Sequence, residues 1–299
     1  MISDILAYVS PAFDSSLSGA VSIVLLSGIG LAVGIVAGLF GVGGGFLLVP
    51  LMNVLIGIPM EIAAGSATCY IIGTSSSGVM KHLRNKNVEI RAALFLGGGS
   101  IFGAVMGDIL QDFFIVTVAG GNRELFEKIM QGGFVILLAL IAWVMYRTPK
   151  GKEGQKTLLQ RLTIGPYVDL PLSSRYRVSI PGLVMIGVFG GILTGLMGVS
   201  GGVLFMPILT LGVGLLPHLA VGTSLAVVFT ASVAAVIKKG ISSPGKVSLP
   251  IAVSLLVAGT IGVRIGMFLA SKITGSTLKK YFSLVAVAAG IMVLLKLAL

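Results

Sequence analysis

The sequence predicts an all-α polytopic membrane protein made of two homologous repeats of about five hydrophobic segments each, about 8–10 spans in total, with glycine-broken helices. Three observations carry this. Of 299 residues, 56% are apolar and only 10% are charged, where a soluble domain carries about 25% charged residues. Mean hydropathy is +1.07, so lipid is the natural solvent for most of the surface. The apolar residues also fall in long runs, of which a spanning helix needs roughly 20 residues.

Apolar runs occupy about 19–40, 44–58, 62–80, 89–110 and 129–146, and then about 179–198, 201–216, 219–237, 247–270 and 281–298. The chain therefore divides into an N-terminal tail (1–18), a first transmembrane repeat (19–147), a basic cytoplasmic linker (148–178) and a second transmembrane repeat (179–299). The tail holds Asp4 and Asp14 but neither Lys nor Arg. A cleaved signal peptide starts with positive charge, so the tail is expected to be retained. From Arg147 to Arg177 the chain has seven basic residues together with Pro149, Pro166 and Pro171. Runs 44–58 and 201–216 are short and each follows a glycine cluster, as broken or half-length helices would.

The net charge of +11 does not mark a nucleic-acid binder. The basic residues sit in short clusters between apolar runs, as cytoplasmic loops do, and no aromatic residues interleave with them as RNA recognition requires. One cysteine and two histidines cannot build a disulfide framework or a Cys/His zinc site. No metal or cofactor is expected.

The halves repeat. GLFGVGGGFLLVP, from Gly38 to Pro50, aligns with GLMGVSGGVLFMP, from Gly195 to Pro207, at an offset of 157. Gly30, Gly34 and Gly38 mirror Gly187, Gly191 and Gly195. Gly65-Ser66 falls on Gly222-Thr223, and Gly103 and Gly107 match Gly262 and Gly266 after a small insertion. Lys81, Arg84, Lys86 and Arg91 place the loop after the third segment in the cytoplasm. An odd number of crossings per repeat inverts the second repeat, whereas a re-entrant second segment leaves the repeats parallel. Charge counts are even between the two, and the acidic tail favours inversion.

Glycines spaced by four share one helix face and let helix backbones approach closely in lipid, so the ladders read as packing. The clusters Gly41–Gly45 and Gly198–Gly202 differ. Consecutive glycines destabilise a helix by about 1 kcal/mol each, and backbone freed within a membrane must find partners or line a wet cavity. A duplicated helix break points to a transporter's binding site. Bare amides at the start of the next half-helix suit an anion, and the alternative is a kink that only aids packing. Gly43, Gly44, Gly45, Ser200, Gly201 and Gly202 are the candidates here. A nucleotide P-loop is excluded, since no Lys-Ser or Lys-Thr follows either cluster.

These paired motifs, each followed by a Gly-Ser/Thr stretch, resemble the TauE/SafE family of sulfite and organosulfonate permeases over about 20–298. Ser200 replaces a glycine of the second motif, and Ala67-Thr68 departs from the pattern after Gly65-Ser66. The resemblance implies secondary transport of small sulfur-containing or related organic anions at the cell (inner) membrane, without ATP hydrolysis.

Hydroxyls in membrane helices usually bond back to their own backbone or glue helices together. Ser66, Thr68, Thr223 and Ser224 are the better candidates, because they recur at the start of the helix after each break. Arg264 is a cation inside an apolar run, where such charges are functional by default. It either counters the substrate's charge or snorkels to an interface, and its mate Val105 is neutral. Lys81 and His82 form either a cytoplasmic lip that concentrates anions or ordinary topology signals. Cys69 reads as a small apolar residue. Few carboxylates lie near the spans, Asp108 and Glu61 among them, so proton coupling has no obvious carrier.

The expected protein is an alternating-access carrier of small anions, most simply sulfite or organosulfonates. Its partners are the small anionic substrate and the lipid bilayer, and a coupling ion and a homo-oligomer are compatible with it. An anion channel using the same site is the alternative. No nucleophile–base–acid set is visible, so an enzyme is not expected.

Overall fold

The computed structural model describes residues 19–118, 120, 122–147, 165–172, 177–242 and 249–298. The N-terminal tail and most of the basic linker lie outside them. The described residues form α1 (Gly19–Phe40), α2 (Gly45–Leu55), α3 (Met60–Arg84), α4 (Ile90–Phe113) and α5 (Arg123–Arg147). A short antiparallel pair follows, β1 (Tyr167–Asp169) and β2 (Arg177–Ser179). Then come α6 (Ile180–Met197), α7 (Gly202–Pro207), α8 (Pro217–Ser242), α9 (Leu249–Lys272) and α10 (Gly275–Ala298). Wider π-helical turns extend α4 over Phe114–Val118 and α7 over Ile208–Val213.

Each of the ten apolar runs is a helix. Six helices are long and apolar enough to cross a membrane, among the described residues: α4, α5, α6, α8, α9 and α10. The chain is a multi-pass membrane protein. Its outward faces agree, since Leu94, Phe102, Ile136, Leu140, Met185, Phe189, Val257 and Ile261 are all exposed, and a continuous apolar exterior of this kind belongs in lipid. α2 and α7 are short, as their glycine clusters predict. Each contains a proline, Pro50 and Pro207, which removes one intrahelical hydrogen bond.

The helix ends have local causes. Ser179 Oγ accepts from Gly182 N (3.3 Å) and Pro181 occupies the first turn, so α6 starts there. Gly198 ends it at φ +62°, with its amide on Thr194 O, the left-handed closure that glycine permits.

The glycine ladders set the packing. A methyl group added to Gly30, Gly34 or Gly38 would meet the main chain of Leu255, Gly259 or Val263, so α1 and α9 run side by side in the same direction. Likewise Gly99, Gly103 and Gly107 meet Val184, Val188 and Ile192, and Gly187, Gly191 and Gly195 meet Leu96, Ser100 and Ala104, so α4 and α6 are parallel. α5 and α10 run oppositely: Ser283 Oγ donates to Ala142 O (3.2 Å) and Gly290 faces Leu138. α3 and α8 are also antiparallel, with Gly78 on Leu225 and Gly222 on His82.

Two features are not in the expected plan. The end of the linker region forms the β1–β2 pair, which docks on the start of α4: Arg91 Nη1 donates to Asp169 O (2.8 Å), and Leu172 N donates to a Glu89 carboxylate oxygen (2.8 Å). A polar cluster also ties the end of α2 to α5 and α10. Asn53 Oδ1 accepts from Gln131 Nε2 (2.8 Å) and Lys296 Nζ (2.6 Å), and Asn53 Nδ2 donates to Ile58 O (2.9 Å).

Candidate functional site

The two glycine breaks lie against each other. A methyl group on Gly45 would fall 2.9 Å from both Gly198 O and Ser200 N, and one on Gly202 would fall 2.7 Å from Val42 Cα and O. Ser200 Oγ donates to Val42 O. The serine that replaces a glycine in the second motif is thus the side chain that stitches the breaks together.

Around this contact, α3 and α8 supply walls. On α8, Val221 abuts Gly41 and Val228 abuts Gly43 and Gly202. On α3, Ala64 abuts Gly198, and Ile71 abuts Gly43 and Gly45. Residues 41–46 and 195–203 are buried throughout.

In the first break Gly41, Gly43 and Gly44 have φ of +71°, +74° and +85°, left-handed conformations that cost glycine little and other residues about 1–2 kcal/mol each. Among the described residues, the amides of Gly43, Gly44 and Gly45 donate to no main-chain carbonyl. They lie at the start of α2 and share its positive dipole end. In the second break, Gly201 N donates to Thr194 Oγ1 (2.9 Å), which itself donates to Gly190 O (3.0 Å). Thr194 therefore occupies an amide that the sequence left bare.

The hydroxyl candidates separate on the same test. Thr68 Oγ1 bonds back to Ala64 O (2.6 Å). Thr223 Oγ1 accepts from Glu89 N (2.9 Å), satisfying an amide at the start of α4. Ser66 is buried in α3. Ser224 is buried and its Oγ has no hydrogen-bond partner. It stands between Val221 and Val228 at helical spacing, on the face of α8 that meets the breaks. Arg264 is exposed on α9, and the structure does not bring it together with these groups.

Sequence reasoning passed over two contributors. Thr74 Oγ1 bonds Gly43 O (3.2 Å) and so anchors α3 to the first break. Thr194, inside a glycine-rich run, gave no signal of its own.

A cavity of about 290 Å³ opens at the end of the protein where α3 and α9 finish and α8 begins, lined among others by Lys81, His82, Asn85, Asn87, His218 and Ser271. Val221 also lines it, and Val221 abuts Gly41. The cavity thus reaches the wall of the first break.

A helical membrane protein with two buried, mutually contacting helix breaks and a cavity that shares Val221 with one of them has the features expected of a solute transporter. The comparisons with known proteins agree: the family described as "Sulfite exporter TauE/SafE" matches residues 26–293, and the chain belongs to that family of membrane transporters. "Probable membrane transporter protein YunE" of Bacillus subtilis is 26% identical over 276 residues, covering 90% of this chain and 96% of that protein. "Probable membrane transporter protein YjnA" of the same organism is 29% identical over 271 residues, covering 91% and 98%. A relative from Methanocaldococcus jannaschii, also named a probable membrane transporter protein, is 25% identical over 287 residues, covering 91% and 95%. No solved structure matches the chain.

Proposed function

We propose that the protein is a secondary transporter of small anions at the cell (inner) membrane, with sulfite or an organosulfonate as substrate. In this reading it works by alternating access of two inverted repeats, α1–α5 and α6–α10. The observation that carries it is the first break: three consecutive amides without carbonyl partners, at the positive end of a half-helix, with Val228 of α8 against Gly43 and the unpartnered Ser224 hydroxyl one turn away on that helix. Neutral donors of this kind can hold an oxyanion and still release it, as a carrier must. The family description and the relatives' names support the substrate class and the transport role.

Inversion is supported by helix direction. α3 opposes its repeat mate α8, and α5 opposes α10. The partnership of α1 with α9 is answered by that of α6 with α4. Lys81, Arg84, Lys86, Lys272, Lys279 and Lys280 then share one face with Arg147 at the end of α5 and Arg177 before α6, which the positive-inside bias makes cytoplasmic. In the structure as it stands the breaks are in contact, so a substrate passing between them requires the repeats to shift against each other.

Substrate binding at the first break makes Ser224→Ala informative. The hydroxyl satisfies no protein group, so its loss should leave thermal stability within about 0.5 kcal/mol of wild type, in the range of neutral substitutions. Sulfite affinity should fall by about fivefold to tenfold, the worth of one hydrogen bond of about 1–1.5 kcal/mol. Uptake of radiolabelled sulfite, taurine and thiosulfate into proteoliposomes tests the substrate class: saturable uptake of at least one supports the reading, and none above empty liposomes refutes it.

A further inference from the structure

The cavity between α3, α8 and α9 carries an inference that rests on the proposed transport function and deepens it. Its polar lining is Lys81, His82, Asn85, Asn87, His218 and Ser271, a set of cationic, imidazole, amide and hydroxyl groups without a carboxylate among the described residues that line it. The chain's two histidines both belong to it, although they are far apart in sequence and only the antiparallel pairing of α3 with α8 brings them together. Both ring nitrogens of His82 are buried and lack a hydrogen-bond partner, an unfilled demand that a bound polar solute would meet. Glu89, the nearest carboxylate in the loop, is already engaged with Leu172 N. At about 290 Å³ the space is at the small end of ligand sites, which run from about 300 to 1,000 Å³.

The equivalent positions of the other repeat have a different chemistry. At the offset of 157, Lys81 corresponds to Lys238, His82 to Lys239 and His218 to Glu61. At the slightly longer offset of the fourth segments, Met267 and Ser271 correspond to Asp108 and Asp112. Lys239, Asp108 and Gln111, the mate of Ala270, are buried, whereas Lys81, at the position matching Lys238, is exposed on the first. The described lining of the first mouth carries Lys81 and no carboxylate, whereas the matching positions of the other repeat add Glu61, Asp108 and Asp112 to Lys238 and Lys239.

We infer that the cavity is an anion-capture vestibule: a small oxyanion lodges against Lys81, His82 and His218 before reaching the first break through the Val221 wall. Capture is specific to this face, because the opposite mouth substitutes Glu61 for His218 and places Asp108 and Asp112 where this one has Met267 and Ser271. A cleft lined by one sign of charge concentrates its counter-ion.

The test uses full-length protein in membrane vesicles of both orientations, with radiolabelled sulfite as the probe. His218→Glu, which installs the residue of the opposite mouth, and Lys81→Gln should each raise the sulfite KM at the basic face tenfold or more, with the maximal rate within threefold of wild type. His218→Gln should cost less than His218→Glu, because it keeps a neutral hydrogen-bonding group. As an independent reading, Ser271→Cys in a Cys69→Ser background should react with an impermeant maleimide from the basic face, and sulfite should slow that reaction. Wild-type KM in both His218→Glu and Lys81→Gln, in vesicles holding normal amounts of protein, overturns the vestibule while leaving sulfite transport standing. Wild-type vesicles that move no sulfite overturn the transport reading, and the vestibule with it. If Ser271→Cys reacts at a rate that sulfite does not change, the vestibule is likewise overturned.

Discussion

Valine at Gly191 should prevent the protein from forming a stable fold. A methyl group there would sit closer than 3.0 Å to Ser100 O and Ala104 N, main-chain atoms of α4 that have nowhere to go. The same helix pair is in contact at Gly99, Gly103, Gly107, Gly187 and Gly195, so relieving one clash means parting the whole ladder. Overpacking commonly costs about 1–3 kcal/mol when side chains can give way. Here backbone faces backbone, and a loss of about 3 kcal/mol or more is expected, read as a collapse of the monodisperse peak in detergent and of the thermal transition. Gly98 is the control. It neighbours Gly99 in α4, yet an added methyl meets nothing within 4 Å. Gly98→Ala should therefore be neutral or stabilising by up to about 1 kcal/mol, the helix-propensity gain. Equal damage from both substitutions would show that general helix disruption, rather than close approach, explains the ladders.

The second large effect is expected at the breaks, with transport lost and insertion kept. Gly44 caps α2 at φ +85°, and its added Cβ would lie 2.9 Å from Val33 Cγ1. Gly202 faces Val42 Cα and O at 2.7 Å. Valine at either position bends or separates the crossing that the proposed substrate path uses, while the ladders that hold α1 to α9 and α4 to α6 are untouched. Sulfite uptake by Gly44→Val and Gly202→Val should drop to the level of empty liposomes, with membrane protein content at least half that of wild type. Uptake at the wild-type rate would mean that the breaks serve packing alone.

Much of this architecture is written locally. Each long apolar run became a helix because nothing else satisfies its backbone in lipid, and each glycine cluster became a break because no neighbour stabilises helix across it. The ladders were legible for the same reason: a spacing of four is a face, and a face of glycines is a close contact. What stayed hidden depends on pairing between distant segments. Thr223 also accepts from Glu89 N, 134 residues away, a pairing that no local pattern announces. Thr194 looked inert because the amide it satisfies belongs to a break that begins after its own helix ends. Asn53, Gln131 and Lys296 are single polar residues on three different helices, and only packing makes them one cluster. Arg264 stood out by its apolar sequence neighbours, but periodicity did not reveal that it faces outward. The two histidines were too far apart in sequence to suggest a shared cavity.

In the proposed function the breaks form the moving centre of a carrier rather than the pore of a channel. Counterflow addresses it directly: proteoliposomes loaded with unlabelled sulfite are diluted into a trace of radiolabelled sulfite, and internal label is followed over time. A carrier exchanges solute for solute, so label should rise transiently above its equilibrium level and then decay, and Gly202→Val should erase the overshoot. A smooth approach to equilibrium without overshoot, in vesicles that do take up sulfite, would contradict alternating access.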